Sequence, residues 1–68
     1  MRKGLCFFEI GEEKIIDVQP LYHELPKLIE GQEITLYGEK YTYAYVDHVY
    51  NDKNTGLDFA YYYVVEKI

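Results

Sequence analysis

Apolar and polar residues alternate along five stretches of this chain, with the two-residue period of a half-buried β-strand. Val, Ile, Thr, Tyr and Phe are frequent in these stretches, whereas Ala, the residue that most favours helix, occurs only at positions 44 and 60. Polar or glycine-containing turns separate the stretches. The pattern therefore predicts an all-β fold with strands at residues 4–10, 14–19, 32–37, 40–50 and 57–68.

The segment between the second and third predicted strands follows neither the strand period nor the helix period. Pro26 disfavours the helical conformation at Leu25 before it, so we expect a connecting loop with at most one helical turn between residues 21 and 30. The other connections are short enough for hairpins. The sequence thus predicts a single domain, residues 1–68, built as a small five-stranded antiparallel barrel or a strongly curved sheet.

Both faces of the last predicted hairpin carry aromatic residues. If Asn51 lies opposite Gly56, then Tyr50 faces Leu57 on the side that we expect to point inward. His48 faces Phe59 on that same side. The outward side then carries tyrosines and carboxylates: Tyr41, Tyr43, Tyr45, Tyr62, Asp47, Asp58 and Glu66.

Two interpretations of this outward side remain open. A strongly curved barrel can bury parts of both faces while the tyrosine hydroxyls stay in water. Alternatively, the side is a binding surface, because Tyr is enriched in interface cores and carboxylates attract a basic partner. On the second interpretation the partner-binding residues are Tyr41, Tyr43, Tyr45, Tyr62, Asp47 and Asp58.

The size of the chain favours assembly. A domain of 68 residues buries only about 60% of the surface that its unfolded chain exposes, so the core needs support. Cys6 is the only cysteine, which excludes an intrachain disulfide, and its spacing from His23 and His48 does not match a closed zinc site. We therefore expect a homo-oligomer that holds no metal or other cofactor.

Charge and hydropathy restrict the partners further. The chain has 12 acidic and 7 basic residues, a formal net charge of -5, and its basic residues are scattered along the sequence, which argues against nucleic acid as a partner. The longest apolar run, residues 60–65, is far shorter than the ~18 residues of a spanning helix, so we expect no membrane association. The single cysteine and the lack of a signal-peptide pattern predict a cytoplasmic protein.

No motif in the sequence specifies a catalytic chemistry. The chain contains no Ser, and Asp47 and His48 are adjacent, so on a strand their side chains point to opposite faces. Cys6 alternates with Phe8 and Ile10 as a small buried hydrophobic residue does. We therefore predict that the protein is not an enzyme.

Strand and turn residues in the middle of the chain resemble those of a known group of proteins: Leu25-Pro26, Gly31, Ile34, Leu36, Gly38, Tyr41, Tyr43 and Val46. This pattern is similar to that of short SH3-like β-barrel proteins encoded by phages and mobile elements. The resemblance implies a small SH3-like barrel and a viral setting, and it carries over no catalytic residue.

These observations favour a non-enzymatic module that binds another protein through a tyrosine-rich acidic surface. The biological role that we expect for such a module is inhibition of a host factor. The alternative is an oligomeric binder of a small molecule or nucleotide, in which the pocket forms between subunits and tyrosine rings stack on a base or sugar.

Overall fold

The computed structural model of the chain describes residues 1–21 and 24–68. The fold is all-β, as predicted, and the described residues contain no helix, so no helical turn forms within residues 24–30. The predicted alternative of a turn of helix at residues 21–24 falls partly outside the described residues. The strands are β1 (Lys3–Glu9), β2 (Lys14–Pro20), β3 (Glu33–Leu36), β4 (Glu39–Asp52) and β5 (Leu57–Lys67).

One strand pairing differs from the antiparallel arrangement that the sequence predicts. The sheet order is β2-β1-β5-β4-β3, and the three hairpin pairs are antiparallel. The central pair, β1 with β5, is parallel, with Leu5 opposite Tyr61 and Phe7 opposite Tyr63. The difference arises because the segment after β2 carries the chain from one edge of the sheet to the other. The meander β3-β4-β5 then returns inward to β1.

The two edges of the sheet approach each other, so the sheet is nearly closed into a barrel. Tyr37, in the turn between β3 and β4, donates a hydrogen bond of 2.8 Å to Asp17 Oδ1 in β2. Asp17 also accepts a hydrogen bond of 2.7 Å from the Gln19 side chain. This polar link joins β2, at one edge of the sheet, to the turn that follows β3 at the other edge.

The register of the β4-β5 hairpin changes at Ala44. On one side of the irregularity Tyr43 lies opposite Val65, and on the other side Tyr45 lies opposite Val64. A bulge of this kind inserts one residue into one strand and reverses the sides on which the following residues point. Tyr43 therefore shares the face of Tyr63, whereas Tyr45 points to the opposite face.

The main hydrophobic core lies on one face of the sheet, which we call the core face. Its buried residues come from three strands: Leu5, Phe7, Tyr41, Tyr43, Tyr63 and Val65. Loop side chains at Leu25 and Leu28 pack against them. The Tyr63 hydroxyl donates a hydrogen bond of 3.0 Å to the Pro26 carbonyl, which fixes the loop over this face.

The opposite face, which we call the groove face, buries a smaller apolar set. Cys6 and Ala60 are fully buried there, and Val64 is 5% exposed. Gly4 allows the close packing at one end: a Cβ built on it would lie 2.7 Å from the Gln19 carbonyl oxygen and 2.7 Å from a Leu57 methyl. Glycine is therefore required where β2 and the start of β5 approach β1.

Candidate functional site

An open groove of about 330 Å³ crosses the groove face between the β1-β2 turn and the middle of β4. Its apolar lining comes from three strands and one turn, and two carboxylates lie at its margin. We call it the acidic groove; its residues are Phe8, Ile10, Glu13, Tyr45, Asp47, Val49, Tyr62 and Val64. Tyr45 is 55% exposed and Ile10 is 41% exposed, so apolar surface is open to a partner at both ends.

The two groove carboxylates form no ion pair with any cation among the described residues. The ion pairs of the described chain join Lys14, Lys40 and Lys67 to glutamates elsewhere. Asp47 Oδ1 accepts a hydrogen bond of 2.9 Å from the His48 amide, which orients the carboxylate and leaves its charge unbalanced. The groove therefore combines apolar surface with negative charge that a basic group can neutralise.

A buried polar cluster holds the inner wall of the groove. The Tyr62 hydroxyl donates a hydrogen bond to Asp52 Oδ2. The Thr55 hydroxyl donates to the same oxygen at 2.8 Å, and the Asn54 amide donates to Asp52 Oδ1 at 3.0 Å. Burial by itself raises the pKa of the Asp52 carboxyl, but the three hydrogen bonds more than offset it, so this pKa lies below its usual value. The ionised carboxylate ties the β4-β5 turn to the Tyr62 ring.

Cys6 lies beside this cluster and is fully buried in the folded protein. Burial, together with the negative charge of Asp52, raises the pKa of the Cys6 thiol to about 12. A thiol reacts as the thiolate, so a group that stays protonated near neutral pH is a poor nucleophile. The prediction that Cys6 is a buried hydrophobic residue is confirmed.

The structure brings together three of the six residues predicted to bind a partner. Tyr45, Tyr62 and Asp47 all line the acidic groove. The prediction that Tyr41 and Tyr43 are exposed is wrong, because they are 5% and 7% exposed and belong to the main core. The bulge at Ala44 is the reason, since it turns residues before it toward the core face.

Asp58, the sixth predicted residue, lies away from the groove. Its carboxylate accepts a hydrogen bond of 2.7 Å from the backbone amide of Arg2 and so fastens the start of the chain to β5. The groove residues that the sequence did not identify are Phe8, Ile10, Glu13, Val49 and Val64. The alternation of Phe8 and Ile10 was visible in the sequence, but the pairing that places them beside Tyr45 and Tyr62 was not.

A second exposed feature occurs on the core face. Four rings contact one another in this aromatic patch: His48, Tyr50, Phe59 and Tyr61. The sequence predicted that these residues point inward, and they do share the face of the core. Tyr50 is nevertheless 70% exposed.

The remaining candidate groups form no metal centre in the part of the chain that the structure describes. Within residues 1–21 and 24–68, no three His, Cys, Asp or Glu side chains lie close enough to hold a metal ion. His48 belongs to the aromatic patch, and His23 lies outside the described residues. No helix among the described residues has the length and apolar character needed to cross a membrane.

Comparison with known proteins adds no assignment to this site. No family model, no curated protein and no solved structure matches the chain.

Proposed function

We propose that this chain is a non-enzymatic protein-binding module whose acidic groove receives an apolar side chain of a partner protein that is flanked by lysine or arginine. The observation that carries the proposal is the combination of exposed apolar lining with two unpaired carboxylates, Glu13 and Asp47. Apolar surface of this kind on a small soluble domain usually marks a site of association. Tyrosine supplies such a site with a large contact area at low rotamer cost.

The dimensions of the groove support a side chain as its occupant. Its volume of about 330 Å³ lies at the lower limit for small-molecule pockets, and it is open along one side. One or two side chains of a protein fit this space better than a complete organic cofactor does. The net charge of -5 adds long-range attraction for a basic partner.

The biological setting forms part of the same proposal. A buried cysteine without a disulfide suits a reducing compartment, so we place the module in the cytoplasm. The similarity to short SH3-like proteins of phages supports a role in the inhibition of a host factor. We retain homo-oligomerisation as the expected assembly, because a domain of this size gains stability from it.

Selection of peptides from a displayed random library on the immobilised protein tests the proposal. We expect the selected sequences to place an aromatic or aliphatic residue next to Lys or Arg. A selected peptide should shift the backbone amide NMR signals of Ile10, Tyr45 and Val49, which line the groove. Selected sequences without basic residues, or amide shifts confined to the aromatic patch, would contradict the proposal.

A matched pair of variants distinguishes binding in the groove from non-specific binding to other exposed aromatic surface. Tyr45→Ala removes exposed groove surface and should weaken a selected peptide by about tenfold or more, the loss expected for an interface anchor. Tyr37→Ala removes an even more exposed ring, 77%, outside the groove, and should leave the affinity unchanged. Equal affinity of the two variants would mean that the groove is not the binding surface.

A further inference from the structure

Strand β2 forms one edge of the sheet and, among the described residues, pairs with β1 only. The Leu21 amide donates a hydrogen bond of 3.1 Å to the Lys3 carbonyl, which fixes the backbone groups that point toward β1. In an antiparallel pair these groups alternate along the strand, so the backbone groups of Gln19 and Asp17 also point toward β1. The amide and the carbonyl of Val18 therefore point outward, to the open side of the edge.

The Val18 side chain adds exposed apolar surface at the same position. Val18 lies opposite Cys6 of β1, so both side chains point to the groove face, and Val18 is 43% exposed. It borders an open cleft of about 450 Å³, whose apolar lining includes Pro20, Leu21 and Leu57. The edge therefore offers a donor, an acceptor and an apolar side chain at one residue.

This edge is complementary to itself when a second copy of β2 lies antiparallel to it, across a two-fold axis at Val18. Val18 then faces Val18 of the second copy, and each amide donates to the carbonyl of the other. Asp17 faces Gln19 of the second copy, so no like charges lie directly opposite each other. The Gln19 side chain already donates to Asp17 Oδ2 at 2.7 Å within one chain, and the same two groups meet again across the axis. Pro20, which has no amide hydrogen, ends β2 and so interrupts only the outermost pairs.

We propose that a second copy of the chain pairs with the β2 edge, so that the sheets of the two copies join into one. The proposal rests on the homo-oligomer expected above, and it identifies the interface. A contact that uses the same surface of both copies closes on itself, so the assembly ends at two copies. No residue that lines the acidic groove lies on β2, so the pairing leaves both grooves open to a partner.

Edge length and charge both favour this pairing over one at the other edge. β2 has seven residues, whereas β3, Glu33–Leu36, has four, and a short edge strand offers few backbone groups to another chain. Each copy carries a net charge of -5, which opposes association at long range. That repulsion is largely screened beyond the ~8 Å Debye length of physiological salt, and the residue at the axis is uncharged.

Charged substitutions at Val18 test the proposal, because this residue faces its own counterpart across the axis. Val18→Asp places two carboxylates opposite each other, and Val18→Lys places two ammonium groups there. Each variant alone should have a dissociation constant raised by about 100-fold or more and sediment near 8.1 kDa at micromolar concentration. An equimolar mixture pairs opposite charges, so it should restore a mass near twice 8.1 kDa, the mass expected for the unchanged protein.

Val46 supplies the matched controls, since it is 38% exposed and lies on β4. Val46→Asp and Val46→Lys should both keep the two-copy mass. A covalent link gives an independent measurement, because hydrogen-bonded residues directly opposite each other have Cα atoms about 5.5 Å apart, within the range of a disulfide. Cys6 is fully buried, so oxidised glutathione should link Val18→Cys, but not Val46→Cys, into a disulfide-bonded dimer.

The β2 interface is wrong if Val18→Asp or Val18→Lys keeps the two-copy mass, or if their mixture stays near 8.1 kDa while circular dichroism shows both folded. If either variant does not fold, the absence of a disulfide-bonded dimer in Val18→Cys contradicts the interface instead. An unchanged protein of 8.1 kDa would overturn the homo-oligomer as well. Peptide affinity in the acidic groove should be the same in Val18→Asp as in the unchanged protein, so failure of the groove proposal leaves this test intact.

Discussion

Replacement of Gly4 by alanine should destabilise the protein far more than the same replacement at Gly11. At Gly4 the new methyl group would lie 2.7 Å from the Gln19 carbonyl oxygen and 2.7 Å from a Leu57 side-chain carbon. The carbonyl is part of β2 and cannot move without disturbing the β1-β2 pairing. At Gly11 the added carbon meets no atom within 4 Å, so this variant controls for the change from glycine to alanine.

The expected size of the effect follows from the cost of overpacking. Forcing an extra carbon into a packed site typically costs about 1–3 kcal/mol, and the rigid carbonyl places Gly4→Ala toward the upper end. For a domain of this size each kcal/mol lowers the Tm by about 4–8 °C, so a loss of about 10–20 °C is expected. Gly11→Ala should lie between no change and a gain of about 1 kcal/mol, because alanine restricts the unfolded chain.

Urea denaturation at 25 °C, followed by circular dichroism, measures both free energies of unfolding on the same scale. The comparison tests the arrangement of three strands at once, since the clash exists only if β1 lies between β2 and the start of β5. Equal stability of the two variants would refute this packing. A sheet with only antiparallel pairs would lack the β1-β5 pair. Such a sheet would therefore not account for a loss of stability at Gly4 alone.

Three further predictions follow from burial, pKa and assembly. Tyr43→Ser should lower the free energy of unfolding, measured by urea denaturation, by about 3–5 kcal/mol because the Tyr43 ring is in the core. Tyr45→Ser should lower it by less than about 1 kcal/mol. Similar losses in the two variants would contradict the bulge at Ala44. The unfolded Cys6 thiol ionises near pH 9.0 and the folded one near 12, so the free energy of unfolding should fall by about 1.4 kcal/mol per pH unit between these values. The Cys6→Ala variant should show a shallower fall with pH. Identical slopes in the two proteins would refute burial of the thiol. Sedimentation at micromolar concentration should give a multiple of 8.1 kDa, and a single species of 8.1 kDa would exclude the homo-oligomer.

The strands could be predicted from the sequence because each one has a local signature. The end of β2 at Pro20 and the turn at residues 53–56 follow from the conformations that proline and the turn-forming residues favour. The β4-β5 pairing was predicted two residues out of register, with Tyr50 opposite Leu57, whereas Tyr50 lies opposite Phe59. A shift of two residues leaves every side chain on its face, so this difference did not affect the assignment of faces.

The candidate site was only half predictable, for a reason that lies in the bulge at Ala44. Where both faces of a hairpin are aromatic, hydrophobic alternation gives no signal for an inserted residue, so Tyr43 and Tyr45 looked equivalent. The bulge sends Tyr43 into the core and Tyr45 into the groove. The β1-β5 pairing that brings Phe8 to the groove joins residues far apart in the sequence, and no local pattern encodes it.

The central claim is that the acidic groove binds a basic, apolar segment of a protein, and a charge-matched comparison tests it most directly. The measurement is the affinity of a selected peptide at two salt concentrations for two double variants. Glu13→Gln with Asp47→Asn removes both groove carboxylates, whereas Glu30→Gln with Asp58→Asn removes two exposed carboxylates that do not line the groove. The net charge changes equally in both, from -5 to -3, since each double variant loses two negative charges.

Only the groove variant should lose affinity, by about 2- to 5-fold for each carboxylate, the range of an exposed ion pair. Its binding should also depend less on salt than that of the unchanged protein, because the attraction of the two groove carboxylates is gone. The control variant should keep both the affinity and the salt dependence of the unchanged protein. If both double variants weaken binding equally, the attraction comes from the overall charge, and the acidic groove is not the binding site.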